Sequence, residues 1–257
     1  MHEPSSPGTN GSGGATTVTA HQEEEQGSEQ VAAFSSRCSA LIPVKALAAA
    51  KSRLAGYLPP ARRARLVLSM LHHVVRTLQA SGQFSRIVVV SADERVRAWA
   101  VSWGAEGWPE EQPGHNAALE AAARRLRTEG VAMLLTISAD LPLLKNEEVE
   151  ALLAQGRRYP VVLAPAHDGQ GTNALLLRPP LLLPYLFGEE SFRRYCEASQ
   201  RRHLAYSRYE SPGLALDIDT LEDLQRSGLV ERWLTARSSS HCLREMTPCQ
   251  SLDIPQP

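Results

Sequence analysis

The sequence lacks three short signatures that would each assign a familiar catalytic fold. It has no G-x-x-x-x-G-K-[ST] phosphate loop, no G-x-G-x-x-G after its first predicted strand, and no G-x-S-x-G elbow. These absences exclude a P-loop enzyme and argue against a nicotinamide-dependent oxidoreductase and an α/β-hydrolase. Any chemistry must therefore use other groups.

Cysteine is scarce, and its placement predicts no disulfide framework. The chain has four cysteines, none in a C-x-x-C pair: Cys38, Cys196, Cys242 and Cys249. This usage is typical of a reducing compartment. The spacing around His241, Cys242 and Cys249 matches no common metal site.

Excess charge and long apolar runs are also missing. The formal net charge is -1, so no overall basic field attracts nucleic acid. No apolar run reaches the roughly 18 residues that a membrane helix needs. The N-terminal segment lacks the basic-then-apolar pattern of a signal peptide. The sequence thus predicts a cytoplasmic protein that binds neither nucleic acid nor membranes.

The composition divides the 257 residues into one domain and two polar tails. Residues 1–36 are rich in Gly, Ser, Thr, Glu and Gln and are predicted to be disordered, because they can bury little apolar surface. Residues 238–257 are predicted to form a second disordered tail. The remaining residues, 37–237, have the length of a single α/β domain.

Strand and helix patterns alternate through that domain. Strands are predicted at Ser39–Val44, Arg86–Ser91, Val131–Ser138, Val161–Ala166, Asn173–Leu177 and Leu214–Ile218. Helices are predicted at Pro60–Gln79, Asp93–Trp103, Ala117–Leu126, Glu147–Ala154, Ser191–Ser199 and Thr220–Ser227. This order predicts a mostly parallel sheet with helices on both faces, whose ligands lie beyond the carboxyl ends of the strands.

Acidic residues follow two of the predicted strands. Asp140 comes directly after the most apolar strand, where a carboxylate faces the ligand crevice. Asp217 and Asp219 lie two apart at the end of the last predicted strand, and an extended chain there would place them on the same face. Three such carboxylates offer the oxygen-rich shell that Mg²⁺ prefers. Helix capping by Asp140, or by Asp219 or Thr220, remains the alternative.

A cationic cluster follows the first predicted strand. Lys45 ends the strand, and Lys51 and Arg53 lie in the loop after it, a placement that suits a triphosphate. A solvated run of charge is the alternative interpretation.

Two further loops are candidate ligand contacts. Thr172 belongs to the glycine-containing loop Gly169–Asn173, and Gly188 and Ser191 lie at a predicted helix start, where free N–H groups bind carboxylate or phosphate. Turns and caps explain either loop equally well when each is taken alone.

Taken in order, these segments resemble the 2-phospholactate/phosphoenolpyruvate guanylyltransferase family, which makes the precursor of the deazaflavin coenzyme F-420. The matching stretches span about 180 residues and are PVK (43–45), AKSRL (50–54), ADLPLL (139–144), DGQGTNALLL (168–177), FGEESF (187–192) and LDIDT (216–220). Each stretch is weak alone, and together they are specific.

The resemblance implies a Rossmann-like nucleotidyltransferase fold that moves GMP from GTP to phosphoenolpyruvate or 2-phospho-L-lactate. It implies Mg²⁺ on Asp140, Asp217 and Asp219, and the phosphorylated acid on the residues Thr172, Gly188 and Ser191. It further implies that a downstream deazaflavin transferase receives the product. A homodimer is the default expectation for the assembly.

The sequence departs from the family pattern at three positions. His115 stands where the family usually has leucine, directly before Asn116, in a segment associated with guanine binding. Tyr195 stands where histidine is frequent, and Leu221 where proline is frequent.

Two alternatives stay open at this stage. One is a related nucleotidyltransferase with a molybdopterin or sugar-phosphate acceptor, although the glycine-rich opening loop of those enzymes is absent. The other is a nucleotide-binding domain without catalysis. The three retained aspartates argue against the second.

Overall fold

The computed structural model of the protein describes residues 38–229. The two predicted tails, 1–36 and 238–257, lie outside the described residues, as do His241, Cys242 and Cys249. The predictions made for them stay predictions.

The described chain alternates between strands and helices. The strands are β1 (Cys38–Pro43), β2 (Arg86–Val90), β3 (Glu106–Trp108), β4 (Met133–Ile137), β5 (Val161–Pro165), β6 (Thr172–Leu177) and β7 (Tyr206–Arg208). The helices are α1 (Pro60–Ala80), α2 (Glu94–Ser102), α3 (His115–Thr128), α4 (Asn146–Arg158), α5 (Ser191–Arg201), α6 (Pro212–Ala215) and α7 (Leu221–Arg226). A short 3-10 helix, Ser52–Leu54, follows β1.

The seven strands form one sheet in the order β3-β2-β1-β4-β6-β5-β7. All neighbours pair in parallel except β6, which is antiparallel to both β4 and β5. After β3 the chain returns to the other side of β1, so the strand order reverses between β1 and β4. Ligands of open α/β sheets bind at such a switch point, beyond the carboxyl ends of the strands.

Alternate strand residues face opposite helical layers. Ala40 and Ile42 pack into the cluster formed with α1, α2 and α4, whereas Leu41 packs into the cluster formed with α3 and α5. This period of two places a buried side chain on each face in turn. The predicted three-layer, mostly parallel α/β architecture is therefore confirmed.

A smaller apolar cluster brings two distant loops together. Leu54 and Leu58, which follow β1, pack with Ile218 and Leu224 near the end of the described chain. The loop after β1 is thereby held against the segment that carries Asp217 and Asp219.

The predicted strand Leu214–Ile218 is wrong. The chain instead forms α6, beginning at Pro212, and continues to Thr220 without regular structure. Its carbonyl groups bind elsewhere: the Asn173 side chain donates to Leu214 and Ala215, and the His167 N–H donates to Ala215. The place beside β5 is taken by β7.

The remaining differences from the predicted elements have simple causes. The strands β3 and β7 were not predicted, because each is only three residues long and contains a charged residue. Side chains cap two of the helices: Asp93 accepts the Arg95 N–H at the start of α2, and Thr220 exchanges hydrogen bonds with Asp223 at the start of α7. Across residues 38–229, every helix is too short or too polar to cross a membrane.

Candidate active site

A cavity of about 940 Å³ opens where the carboxyl ends of β1 and β4 meet. The Lys45 loop follows β1, and Asp140 follows β4. Because β6 runs antiparallel, its first residue, Thr172, lies at this same edge of the sheet. Most of the predicted site residues line the cavity: Lys45, Lys51, Arg53, Asp140, Thr172, Gly188, Ser191, Asp217 and Asp219.

Asp140, Asp217 and Asp219 converge at one end of the cavity and form an acidic triad. One oxygen from each carboxylate lies within 4.8 Å of the other two. The Ile218 N–H donates to the Asp140 carbonyl at 3.2 Å, which fixes the two segments together. Asn173 donates from Nδ2 to Asp217 Oδ1 at 3.0 Å and so orients that carboxylate. Long-range packing, and not a shared strand, unites the triad.

Lys51 lies inside the acidic triad. Its ammonium group donates to Asp219 Oδ1 at 2.9 Å and to Asp140 Oδ2, and its side chain is only 8% exposed. The residue has φ 52°, in the left-handed region that few non-glycine residues adopt. This backbone turn directs Lys51 toward the carboxylates. The ammonium group thus supplies the positive charge that neutralises this cluster of carboxylates.

The charges of the triad shift the pKa values of its members in different directions. Burial raises the pKa of Asp217, and the neighbouring charge of Asp140 raises it further. Burial also acts to raise the pKa of Asp219, but the Lys51 ammonium outweighs it and the net pKa is lowered. Burial acts to lower the pKa of Lys51, yet Asp140 and Asp219 together raise it. The cluster is electrostatically coupled and favours a positive charge at its centre.

The triad fits a divalent cation with a hard, oxygen-preferring chemistry. Two oxygens on opposite sides of Mg²⁺ lie about 4.2 Å apart, from metal–oxygen distances of about 2.1 Å. The observed limit of 4.8 Å exceeds this by less than about 1 Å, a change that carboxylate rotation supplies.

The cationic side of the cavity is formed by exposed residues after β1. Lys45 and Arg53 are both exposed and both line the cavity. His115, at the start of α3, lies near Lys45: burial lowers the pKa of His115, and the Lys45 charge lowers it further. Both effects favour the neutral form of the imidazole.

Two buried hydroxyl groups also line the cavity. Ser191 Oγ donates to Thr172 Oγ1 at 3.1 Å, and both residues are buried. Ser191 is the first residue of α5, and Gly188, with φ 120°, precedes it in the connecting loop. A side chain at Gly188 would be strained at that φ. These three predicted residues lie together.

Phe187, the residue before Gly188, is contacted by both Asn116 and Tyr195. Asn116 is not among the cavity-lining residues, and its side chain binds the backbone of Phe187. Tyr195 is fully buried, and its hydroxyl accepts the Leu186 N–H at 2.8 Å. Both the His115 and Tyr195 rings contact Phe187 edge-on. Two of the three departures from the family pattern therefore meet at one residue.

Several polar residues that line the cavity were not among the predicted site residues, and His115, His167 and Asn173 are three of them. His115 and His167 line the cavity, and His167 Nε2 lies 3.5 Å from the Asp223 carboxylate. Asn173 orients Asp217. A buried, polar asparagine at the start of an apolar strand was the available signal for Asn173. His167 had no such signal, whereas His115 lies in the segment that the resemblance associates with guanine binding.

The sequence is similar to those of known guanylyltransferases. A family model described as "Guanylyl transferase CofC like" matches residues 38–230. The chain is 45% identical over 188 residues to the phosphoenolpyruvate guanylyltransferase of Rubrobacter xylanophilus, covering 73% of this chain and 91% of that protein. It is 39% identical over 186 residues to the 2-phospho-L-lactate guanylyltransferase of Methanothermobacter thermautotrophicus, covering 72% and 81%.

A solved structure shares the fold at much lower sequence identity. A protein from Desulfovibrio desulfuricans G20 that is described as a nucleotide-diphospho-sugar transferase superposes with a TM-score of 0.66 at 18% identity, covering 81% of this chain and 94% of that chain. The predicted Rossmann-like nucleotidyltransferase fold is confirmed.

Proposed function

The chain belongs to the CofC-like guanylyl transferase family, and we propose that it transfers GMP from GTP to a small phosphorylated carboxylic acid. Family membership makes the protein a nucleotidyltransferase. The observation that supports this reaction is one cavity lined by cations, by the acidic triad and by a buried hydroxyl pair. Two phosphorylated substrates require two such recognition regions.

The cavity divides between the two substrates. Lys45 and Arg53 bind the triphosphate of GTP, and Lys51 joins them once a metal ion replaces its ammonium group in the triad, since ammonium and guanidinium groups pair with phosphate oxygens. Thr172, Gly188 and Ser191 hold the phosphorylated acid through hydroxyl groups and backbone N–H groups at the start of α5. Asp140, Asp217 and Asp219 are the metal ligands.

The reaction is an in-line displacement at phosphorus. A phosphate oxygen of the acceptor forms a bond to the α-phosphorus of GTP, and the bond from that phosphorus to the oxygen bridging to the β-phosphate breaks. Diphosphate leaves with the bonding electron pair. The acceptor oxygen is already anionic, so no general base is required. The protein contributes positioning and charge neutralisation.

The acidic triad would hold Mg²⁺, which when bound supplies Lewis-acid neutralisation of phosphate oxygens. Asn173 orients the Asp217 carboxylate, and the Ile218 N–H holds the backbone of Asp140 in place. Lys45 and Arg53, exposed in the cavity, neutralise charge on the departing diphosphate.

The acceptor we propose is phosphoenolpyruvate. The Rubrobacter relative at 45% identity carries that name, and 2-phospho-L-lactate is the second candidate because the Methanothermobacter relative at 39% is named for it. The product would be the GDP-activated precursor used by a deazaflavin transferase in coenzyme F-420 biosynthesis. Cys38 and Cys196 are both free thiols, which is compatible with the proposed cytoplasmic setting.

Release of diphosphate tests the proposal. The purified protein is incubated with GTP, Mg²⁺ and each acceptor separately: phosphoenolpyruvate, 2-phospho-L-lactate and 3-phosphoglycerate, with the deazaflavin transferase present to trap product. We expect release with phosphoenolpyruvate and none after chelation of the metal. Release with a molybdopterin or a sugar phosphate instead would contradict the proposed acceptor class.

Ser191→Ala tests whether Ser191 binds the phosphorylated acid. We expect KM for the acid to rise about tenfold, because a charge-assisted hydrogen bond of about 1.5–3 kcal/mol is lost, while KM for GTP changes little. Steady-state kinetics with each substrate varied in turn provides the measurement. Equal increases in both KM values would remove Ser191 from the acceptor region.

A further inference from the structure

The side chain of Asn116 is engaged on the backbone of Phe187. Its Oδ1 accepts the Phe187 N–H at 3.0 Å, and its Nδ2 donates to the Phe187 carbonyl at 3.0 Å. The amide thus pairs with both backbone groups of one residue, as a neighbouring strand would. Because these residues are 71 positions apart, the contact ties the start of α3 to the segment before α5.

Tyr195 holds Leu186, the residue directly before Phe187. Its hydroxyl accepts the Leu186 N–H at 2.8 Å, and its ring lies edge-on to Phe187 with centroids 5.6 Å apart. The Phe187 ring also contacts His115 edge-on at 5.8 Å and stacks with Tyr185 at 5.9 Å. The backbone and the ring of Phe187 are therefore both fixed.

Residues 186–187 lead directly into the loop 188–191, which contributes Gly188 and Ser191 to the proposed acceptor site. Gly188 follows Phe187, and its carbonyl accepts the Ser191 N–H at 3.2 Å. Ser191 Oγ in turn donates to Thr172. A shift of the Phe187 backbone would displace the loop 188–191, and displacements near 1 Å are large on the scale of substrate positioning.

We propose that Asn116 and Tyr195 are positioning residues for the acceptor, which hold the loop 188–191 in its binding position. This inference rests on the proposed function, since it requires that Thr172, Gly188 and Ser191 bind the phosphorylated acid. It assigns Asn116 a role other than guanine recognition, because the oxygen and the nitrogen of its side chain both bind Phe187. Both residues thus control affinity for the acid and not for GTP.

Asn116→Ala and Tyr195→Phe test the proposal, because each removes a different contact to the segment 186–187. We expect KM for the acid to rise at least about tenfold in Asn116→Ala, which loses two hydrogen bonds, and about fivefold in Tyr195→Phe, which loses one. KM for GTP and the preference for GTP over ATP stay within about twofold of the wild type on the same reasoning. Hydrogen exchange of the peptide covering 186–191 should be faster in both variants.

Asn146→Ala is the matched control. Asn146 is also an asparagine in the first turn of a helix, α4, but its side chain binds Glu150 away from the cavity. We expect it to leave both KM values and exchange at 186–191 unchanged.

A raised KM for GTP or a lost preference for GTP over ATP in Asn116→Ala would assign Asn116 to guanine and overturn the proposal. An unchanged KM for the acid in both variants would overturn it as well. If Asn116→Ala fails to fold, Tyr195→Phe decides. Failure of the proposed function is distinct: the wild type would then release no diphosphate with any acid, while exchange at 186–191, measured without substrates, still reports the effect of each substitution on the segment.

Discussion

Asp140→Asn should lower kcat at least about 10²-fold, the scale for removing one preorganised electrostatic group. The substitution keeps the shape of the side chain and removes its charge, so it weakens the cation site without opening a cavity. Asp140 follows β4, and the hydrogen bond from the Ile218 N–H holds its backbone in place. The loss therefore follows from charge.

Measurement of kcat at saturating GTP and acceptor, with the melting temperature of each protein, separates activity from folding. Glu150→Gln is the isosteric control, because Glu150 is exposed on α4 and binds only Asn146 among the hydrogen-bond partners described. We expect the control to keep wild-type activity. An Asp140→Asn variant with near-normal kcat would contradict the metal assignment.

Lys51→Met should destabilise the metal-free protein, and Mg²⁺ should reverse most of the effect. The ammonium group neutralises Asp140 and Asp219, which lie close to a third carboxylate, Asp217. Without it, three carboxylates repel one another. Because Asp219 is 51% exposed, we expect a loss on the order of 2 kcal/mol, between the values for exposed and buried pairs.

For a domain of this size, that loss lowers the melting temperature by about 4–8 °C. Thermal unfolding is followed for each protein in a chelator and again with Mg²⁺. Arg53→Met removes an exposed cation from the same loop and should show little change in either condition. A Lys51→Met protein that melts like the wild type in the chelator would mean that Lys51 does not act as the cation of the triad.

The sequence predicted those parts of the fold that local patterns determine. The strands β1, β2, β4, β5 and β6 are buried runs of five or six mostly apolar residues, so they were predicted within a few residues. The segment LALDI (214–218) carries a similar pattern but is not a strand, since its carbonyls are bound by Asn173 and the loop at His167. Tertiary contacts overrode the local pattern.

The site was predicted as a set of residues but not as an arrangement. The rule on strand ends correctly brought Asp140 to the cavity. The contact of Lys51 with Asp219 spans 168 residues, and that of Asn116 with Phe187 spans 71. Pairings so distant in sequence depend on the packed sheet and have no local signature. The ligation and substrate roles of these residues stay predictions.

The most direct test of the central claim follows the α-phosphorus of GTP. GTP labelled at the α-phosphate is incubated with the protein, Mg²⁺ and phosphoenolpyruvate, and the products are separated and identified by mass spectrometry. The account predicts that the label joins the acid as a mixed diphosphate of guanosine and enolpyruvate, with one diphosphate released for each product formed. Label found only in free GMP or GDP, or left in GTP, with every one of the tested acids would contradict it.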